Sequence, residues 1–242
     1  MGVVSKSDIM GAYYAGLPIE SPLELIMVGP PIFCGPEEAL EVALETMRSS
    51  SVYRLYVMGV DAEEGRVVGA LAYPDIVGLL YKHCHNCEYS HLRQKQTAGV
   101  EDERKRFTVG ELMTAGVQAV AATDTILAAM EVLSAYRFGA VLVRDGVGAP
   151  CGVISKTDLA LAYKHGLDTQ TPAGEIMASP VRLCGADDLL EDAIMTMIYS
   201  DVHRLFVRAA GSEAVVGVFS LSDAARIRSG SCHACILSLI HI

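Results

Sequence analysis

The chain has 242 residues, enough for one or two domains with a proper core. Its net charge of −10 excludes broad nucleic-acid binding, which needs a basic surface, but leaves room for a small local basic pocket. A hydrophobic fraction of 51% and a mean hydropathy of +0.34 exclude a disordered chain. No apolar run reaches the roughly 18 residues of a membrane span. Residues 1–16 lack a signal-peptide pattern, because Lys6 and Asp8 interrupt the apolar run. Seven cysteines without a secretion signal fit a reducing, cytoplasmic setting, with free thiols or metal ligands rather than disulfides.

In chain order, the first feature is Gly2-Val3-Val4-Ser5-Lys6-Ser7-Asp8. A β-branched strand end runs into Ser-x-x-Asp, which opens a helix. Residues 32–83 follow as strand, helix, strand, strand, helix, with Leu40, Leu44 and Met47 on the first helix. They contain a weaker copy of the phrase, Gly69-Ala70-Leu71-Ala72-Tyr73-Pro74-Asp75. Residues 88–106 are polar and charged and read as a linker. Residues 110–165 repeat the order. Val117–Ala121 is a short strand, Thr123-Asp124-Thr125 caps a helix, and Ile126, Met130 and Leu133 form its stripe. Ala140–Val143 is a buried strand, Asp145–Pro150 a turn, and Gly152-Val153-Ile154-Ser155-Lys156-Thr157-Asp158 the second full phrase. Residues 181–229 repeat it again, with Leu190, Ile194, Met197 and Ile198 on the first helix and Gly217-Val218-Phe219-Ser220-Leu221-Ser222-Asp223 as the third full phrase.

These copies are duplications. Gly2–Met27 aligns without a gap to Gly152–Met177 at an offset of 150 residues. From Gly69 and Gly217 onward the offset is 148, and Gly110-Glu111-Leu112-Met113 matches Gly174-Glu175-Ile176-Met177 at an offset of 64. The fold class is therefore α/β, as tandem repeats. Each small sheet has one face to cover, so repeats should pair. The expected division is a first module at 1–87, with its second unit at about 22–87, and a second module at 107–236, with units at 107–168 and 169–236. The first unit lacks its first strand, first helix and second strand. Residues 237–242 break from the pattern and read as a non-native tail, so the chain is expected to be a fragment. Apolar surface should then be exposed around Val3, Val4 and Ile9.

Ser-x-x-Asp at a helix start is, as chemistry, a capping box with Asp in place of Glu. The same junction also offers free N–H groups and a helix dipole to an anion. A carboxylate there can accept both hydroxyls of a ribose diol. Ala72 removes the hydroxyl in the second unit, which marks Asp75 as the site without ligand. Arg54 and Arg204 begin strands expected to be buried, where a charge needs a partner. One reading is a salt bridge at a strand end. The other is a bidentate fork for phosphate.

The repeats resemble CBS domains, named after cystathionine beta-synthase, which pair into Bateman modules. The resemblance rests on Gly-hydrophobic-x-Ser-x-x-Asp, on the Glu-hydrophobic-Met opening and on the repeat length, and it covers residues 2 to about 235. It implies a regulatory protein that senses adenosine ligands (AMP, ADP, ATP or S-adenosylmethionine), as in the gamma subunit of AMP-activated protein kinase. It implies no enzyme, and either a homodimer or an effector partner. By resemblance, Asp8, Asp158 and Asp223 hold ribose, and Ser5, Ser155 and Ser220 contact ribose or phosphate. Arg54, Arg204 and His203 serve phosphates, and Thr114 and Ala140 border the nucleoside. His203-Arg204-Leu205 matches that subunit's second and fourth units; Tyr53-Arg54-Leu55 departs from it by Tyr for His.

Cys84, Cys87, Cys232 and Cys235 form two Cys-x-x-Cys pairs at equivalent module ends. Together they have the ligand count of a structural zinc site. The alternatives are a thiol-redox pair or thiols retained through duplication; the family resemblance supports no metal. Cys34 and Cys184 fall on matching strands and read as small core residues. No nucleophile triad or phosphate-binding Gly-rich loop is present.

Overall fold

The computed structural model describes residues 1–59, 66–86 and 108–225. In chain order the first elements are α1 (Lys6–Tyr14), a 3-10 turn (Leu23–Leu25), β1 (Phe33–Cys34), α2 (Leu40–Ser49), β2 (Arg54–Met58), β3 (Val67–Ala72) and α3 (Tyr73–Asn86). There follow α4 (Val109–Leu112), β4 (Thr114–Ala115), β5 (Ala119–Ala121), α5 (Ile126–Ala135), β6 (Ala140–Arg144) and β7 (Pro150–Ser155). The last are α6 (Lys156–Lys164), a second 3-10 turn (Ala173–Glu175), β8 (Leu183–Gly185), α7 (Leu190–Tyr199), β9 (Arg204–Arg208) and β10 (Val215–Ser220), with 221–225 helical after it. The expected linker at 88–106 and tail at 237–242 lie outside the described residues.

Packing gathers these elements into two compact units. One takes Met1–Pro31 and Gly116–Arg182, the other Ile32–Ala115 and Leu183–Ile242. Chain order and packing thus divide the protein differently. The first repeat groups with the third, and the second with the fourth. The lead-in of each repeat also crosses over. Thr114 and Ala115 precede the third repeat yet join the sheet of the fourth, paired with Val218 and Gly217 of β10. Ala178 leads into the fourth repeat yet bridges to Val153 of the third.

In the first unit, β5, β6 and β7 form one sheet, parallel between β5 and β6 and antiparallel between β6 and β7. Ala140–Val143 is buried at every position, as a strand covered on both faces must be. Thr125 caps α5 by accepting from the Ala128 N–H at 3.2 Å. The expected stripe then points inward, with Ile126, Met130 and Leu133 in one core with Val141, Ile154 and Leu159.

The first and third repeats meet in this unit around a pseudo-twofold. Tyr13 and Tyr163 stack with ring centroids 5.2 Å apart. The Tyr13 hydroxyl donates to the Leu167 carbonyl at 2.8 Å, and that of Tyr163 to the Leu17 carbonyl at 2.6 Å. The Lys6 ammonium donates to Thr157 Oγ1 and that of Lys156 to Ser7 Oγ, both at 2.7 Å. Each bond recurs with its partners exchanged because the two segments are copies offset by 150 residues.

The second unit holds two sheets, β1-β2-β3 and β4-β10-β9-β8. Their inner faces share one core, in which Leu44, Met47, Leu55 and Ile76 pack with Ile194, Met197, Leu205 and Phe219. Cys34 and Cys184 are buried in it, as their matching strands suggested. Of the residues expected on the first helices, Leu40 is only half-buried and Ile198 is 38% exposed. Ala43 and Ala193 are almost fully buried on the inner faces of these helices.

The Gly of each full phrase and the Met of the crossing lead-in (Met27, Met177 and Met113) explain one another. A Cβ at Gly2 would lie 2.9 Å from Met27 Sδ; at Gly152 and Gly217 it would collide with Met177 and Met113 more closely still. The missing side chain lets the crossing lead-in lie flat on the strand.

Candidate functional site

Every full phrase folds as a strand end, a capping Ser and a helix start. Ser5 and Ser155 hold extended backbone at the N-caps of α1 and α6, with capping boxes closed by Asp8 and Asp158. Asp8 Oδ2 accepts from the Ser5 N–H at 2.7 Å and from its hydroxyl at 2.6 Å. Asp158 Oδ2 accepts from Ser155 at the same two distances. Asp223 Oδ2 accepts from the Ser220 N–H at 2.9 Å and hydroxyl at 2.6 Å, and Ser222 Oγ lies 2.8 Å from Ser220 Oγ. At the degenerate junction Asp75 Oδ2 keeps only the backbone bond, from Ala72 N–H at 2.9 Å.

The cap therefore uses one carboxylate oxygen at each junction and directs Oδ1 elsewhere. The serine hydroxyl is spent as a donor, and its lone pairs face the first-turn N–H groups: Asp8 N–H lies 3.3 Å from Ser5 Oγ and Thr157 N–H 3.2 Å from Ser155 Oγ.

Beside Asp8 lies a cleft of about 330 Å³ lined by Ser7, Asp8, Gly11, Ala12, Leu17, Leu25 and Ile26. It is open to solvent and its lining is mixed, polar at Ser7 and Asp8 and apolar at Leu17, Leu25 and Ile26. Leu17 and Ile26 are wall residues that no motif singled out. Their match to Leu167 and Ile176 in the internal alignment was the available signal. Lys6 and Lys156 were equally legible, standing in the first and third phrases where the fourth has Leu221.

In the second unit the strand register sets Arg204 opposite Ser220. Residues directly opposite in an antiparallel pair share a face, so the guanidinium is carried to the helix start that Ser220 caps. Burial lowers the Arg204 pKa, while the nearby Tyr53 and Asp223 raise it. The cation is thus partly desolvated near a carboxylate. His203 is exposed and its carbonyl accepts from the Leu221 N–H at 3.0 Å, tying β9 to that helix start. Thr114 is exposed on β4, opposite Val218, two residues before Ser220. The second unit therefore places Thr114, Arg204 and Ser220 on adjoining strands, with His203 just ahead of β9 and Asp223 in the helix after β10.

Arg54 stands opposite Ala72 in the same relation, but it is exposed. The expected burial is corrected for this residue. Leu55 and Val57 carry the inner face of β2, and Arg54 needs no partner for desolvation. Tyr53 lies edge-on to the buried Tyr73, with centroids 5.8 Å apart, which holds an aromatic ring at the position His203 occupies in the fourth repeat. Ala140 lies in the first unit opposite Ser155, buried and without a side chain beyond Cβ.

The metal-ligand set falls almost wholly outside what is described. Cys87, Cys232 and Cys235 lie outside the described residues, and Cys84 is in the last turns of α3, beyond its described side chains. Among the described residues no group of three His, Cys, Asp or Glu could hold a metal ion. No helix among them is long and apolar enough to cross a membrane.

Comparison with known proteins agrees with this architecture. CBS domain-containing protein YhcV of Bacillus subtilis (strain 168) is 29% identical over 119 residues, covering 49% of this chain and 83% of its own. Protein MJ1225 of Methanocaldococcus jannaschii superposes with a TM-score of 0.72 at 15% identity, over 93% of this chain and 82% of its own. An uncharacterized conserved protein of Pyrococcus horikoshii superposes at 0.59 and 18% identity, over 84% and 81%. The two superpositions speak to the fold alone. The CBS-domain family model matches residues 23–82, 109–165 and 173–230, most of the chain, and by that measure the protein belongs to the CBS-domain family.

Proposed function

We propose that the protein is a regulatory module that binds adenosine ligands, AMP, ADP, ATP or S-adenosylmethionine, at its Ser-x-x-Asp junctions. The observation that carries this is the division of labour within each carboxylate. Oδ2 of Asp8, Asp158 and Asp223 closes the cap, and Oδ1 is left for a ribose diol. Membership in the CBS-domain family supports the reading.

Asp223 and Ser220 hold the ribose side of one site, with Thr114 against the nucleoside. Arg204 and His203 serve its phosphates. Asp158 and Ser155, with Ala140 leaving room at the strand start, form the twin, and Asp8 and Ser5 a third. Arg54 is a further phosphate ligand, reachable from solvent. Binding regulates a partner, a second copy or an effector, only to the extent that two packings of the repeats bind ligand differently. Calorimetry with the full chain tests this. Saturable heat with at least one of the four ligands, lost in Asp158→Ala and Asp223→Ala, is expected. No heat up to millimolar concentration with any of them would sink the reading.

A further inference from the structure

The two units place their cations differently. In the second unit Arg54 and Arg204 begin β2 and β9, opposite Ala72 and Ser220. The residues that follow Ala72 and Ser220, Tyr73 and Leu221, are buried in the shared core. In the first unit the strand position opposite Ser155 holds Ala140. Lysines stand there where the second unit has Tyr73 and Leu221: Lys6 follows the cap Ser5, and Lys156 follows the cap Ser155. The charge has moved from the strand start to the helix start. That is an unfavourable place for a cation, because a helix N-terminus is the positive end of its dipole.

Both ammoniums cross to the other repeat. Lys156 Nζ donates to Ser7 Oγ and Lys6 Nζ to Thr157 Oγ1, each at 2.7 Å, so each lysine stands at the start of the other helix. Two helix starts and two ammoniums are thereby gathered in one place. Asp8 and Asp158 share these turns, but Oδ2 of each is engaged in its cap. The helix starts are held firmly. Tyr13 of α1 stacks on Tyr163 of α6, and the expected exposure at Val3, Val4 and Ile9 is corrected here, since all three are half-buried. Ser7 and Asp8 line the cleft of the first repeat, so the ammonium that bonds Ser7 brings a cation of the third repeat to that cleft.

We propose that the first unit takes phosphate-bearing adenosine ligands, and that the lysine of the opposite repeat holds each phosphate: Lys156 at the Asp8 junction and Lys6 at the Asp158 junction. This rests on the reading that the Ser-x-x-Asp junctions bind adenosine ligands, and it selects among those ligands. A phosphate oxygen accepts from an ammonium in a charge-assisted bond, stronger than the bond to a hydroxyl that it replaces. AMP, ADP and ATP bring the anion that offsets the gathered positive charge. S-adenosylmethionine brings a sulfonium and an ammonium, which add to it.

The test is calorimetry on the full chain with AMP, ADP, ATP, adenosine and S-adenosylmethionine, one junction at a time. Asp158→Asn with Asp223→Asn isolates the Asp8 junction, and Asp8→Asn with Asp223→Asn isolates the Asp158 junction. In the first background Lys156→Met is expected to weaken the phosphate ligands about tenfold or more, with Lys6→Met having little effect; in the second the two lysines exchange roles. Lys156→Arg should recover most of the loss, and adenosine should bind every variant alike. If the lysines only clasp the repeats together, Lys156→Met lowers the melting temperature and leaves the ratio of AMP to adenosine affinity unchanged, which overturns the proposal. Equal losses from either lysine in both backgrounds overturn it too, as does binding of S-adenosylmethionine with none of the phosphate ligands. In each of these cases the junctions still bind adenosine ligands and the wider reading stands. No heat from any of the five with the parent chain removes both.

Discussion

Arg204 sits directly across the β9–β10 pair from Ser220, the residue that caps the helix beginning at 221. The pairing places a guanidinium, a hydroxyl and, through the cap, the Asp223 carboxylate at one strand end. The guanidinium stays charged because no ordinary burial deprotonates it, and its desolvation makes an incoming anion more attractive.

Ligand binding should separate the intact junctions from the degenerate one. Loss of one charge-assisted hydrogen bond costs about 1.5–3 kcal/mol, roughly ten- to a hundredfold in affinity. Asp223→Ala should weaken one class of site by that amount and Arg204→Ala should weaken phosphate-bearing ligands selectively. Asp75→Ala should change little. Asp→Ala also removes a cap worth about 0.5–2 kcal/mol, so the melting temperature is measured beside the calorimetry. Asp223→Asn keeps the cap acceptor and isolates the ligand term.

The glycine–methionine contacts make a second test, one of stability. The three atoms nearest to a Cβ at Gly152 all belong to the Met177 side chain, so Gly152→Ala should cost about 1–3 kcal/mol in urea unfolding and be largely relieved by Met177→Ala. Gly217→Ala meets Met113 and also the Thr114 carbonyl at 2.9 Å, which is backbone. Met113→Ala should therefore fail to rescue it. Equal rescue at both positions would contradict the contacts described.

Much of this was legible in the sequence because duplication makes one reading check another. The helix stripe at Ile126, Met130 and Leu133, the strand at Ala140–Val143 and the caps at Ser5 and Ser155 all follow from period and motif. The exchange of lead-ins between repeats was not legible, because the crossing of Thr114 onto β10 depends on tertiary packing that no local pattern encodes. Arg54 and Arg204 occupy the same motif position, yet one is exposed and the other half-buried, because burial is set by what lies over the strand. The Gly-to-Met contact joined two motifs read separately, and only coordinates show that the one makes space for the other.

The pseudo-twofold of the first unit predicts matched losses. Tyr13→Phe removes the bond to the Leu167 carbonyl and Tyr163→Phe the bond to Leu17, each part-buried. Each should cost about 0.5–1.5 kcal/mol, and the two values should agree. The stacked rings couple them, so the double variant should depart from additivity. Chemical denaturation of the three variants gives the comparison.

Cys184 tests the core of the second unit. It is buried, and its thiol pKa is pushed up to about 12 by desolvation and then by Asp188, against a smaller opposing pull from Arg208. The thiolate is the reactive form, so Cys184 should resist thiol reagents at neutral pH until the protein unfolds. Labelling of native protein followed by peptide mass analysis checks this. The linkage has a definite sign. A folded pKa above the unfolded value of 9.0 means that the folded state holds the proton longer. The thiol's contribution is complete below pH 9.0 and is lost as pH rises toward about 12. Cys184→Ala should flatten this part of the alkaline decline. Asp188→Asn should lower the thiol pKa, so the decline still begins near 9.0 but levels off at lower pH and is smaller. Rapid labelling of Cys184 in the folded protein at pH 7 would contradict the burial that the core requires.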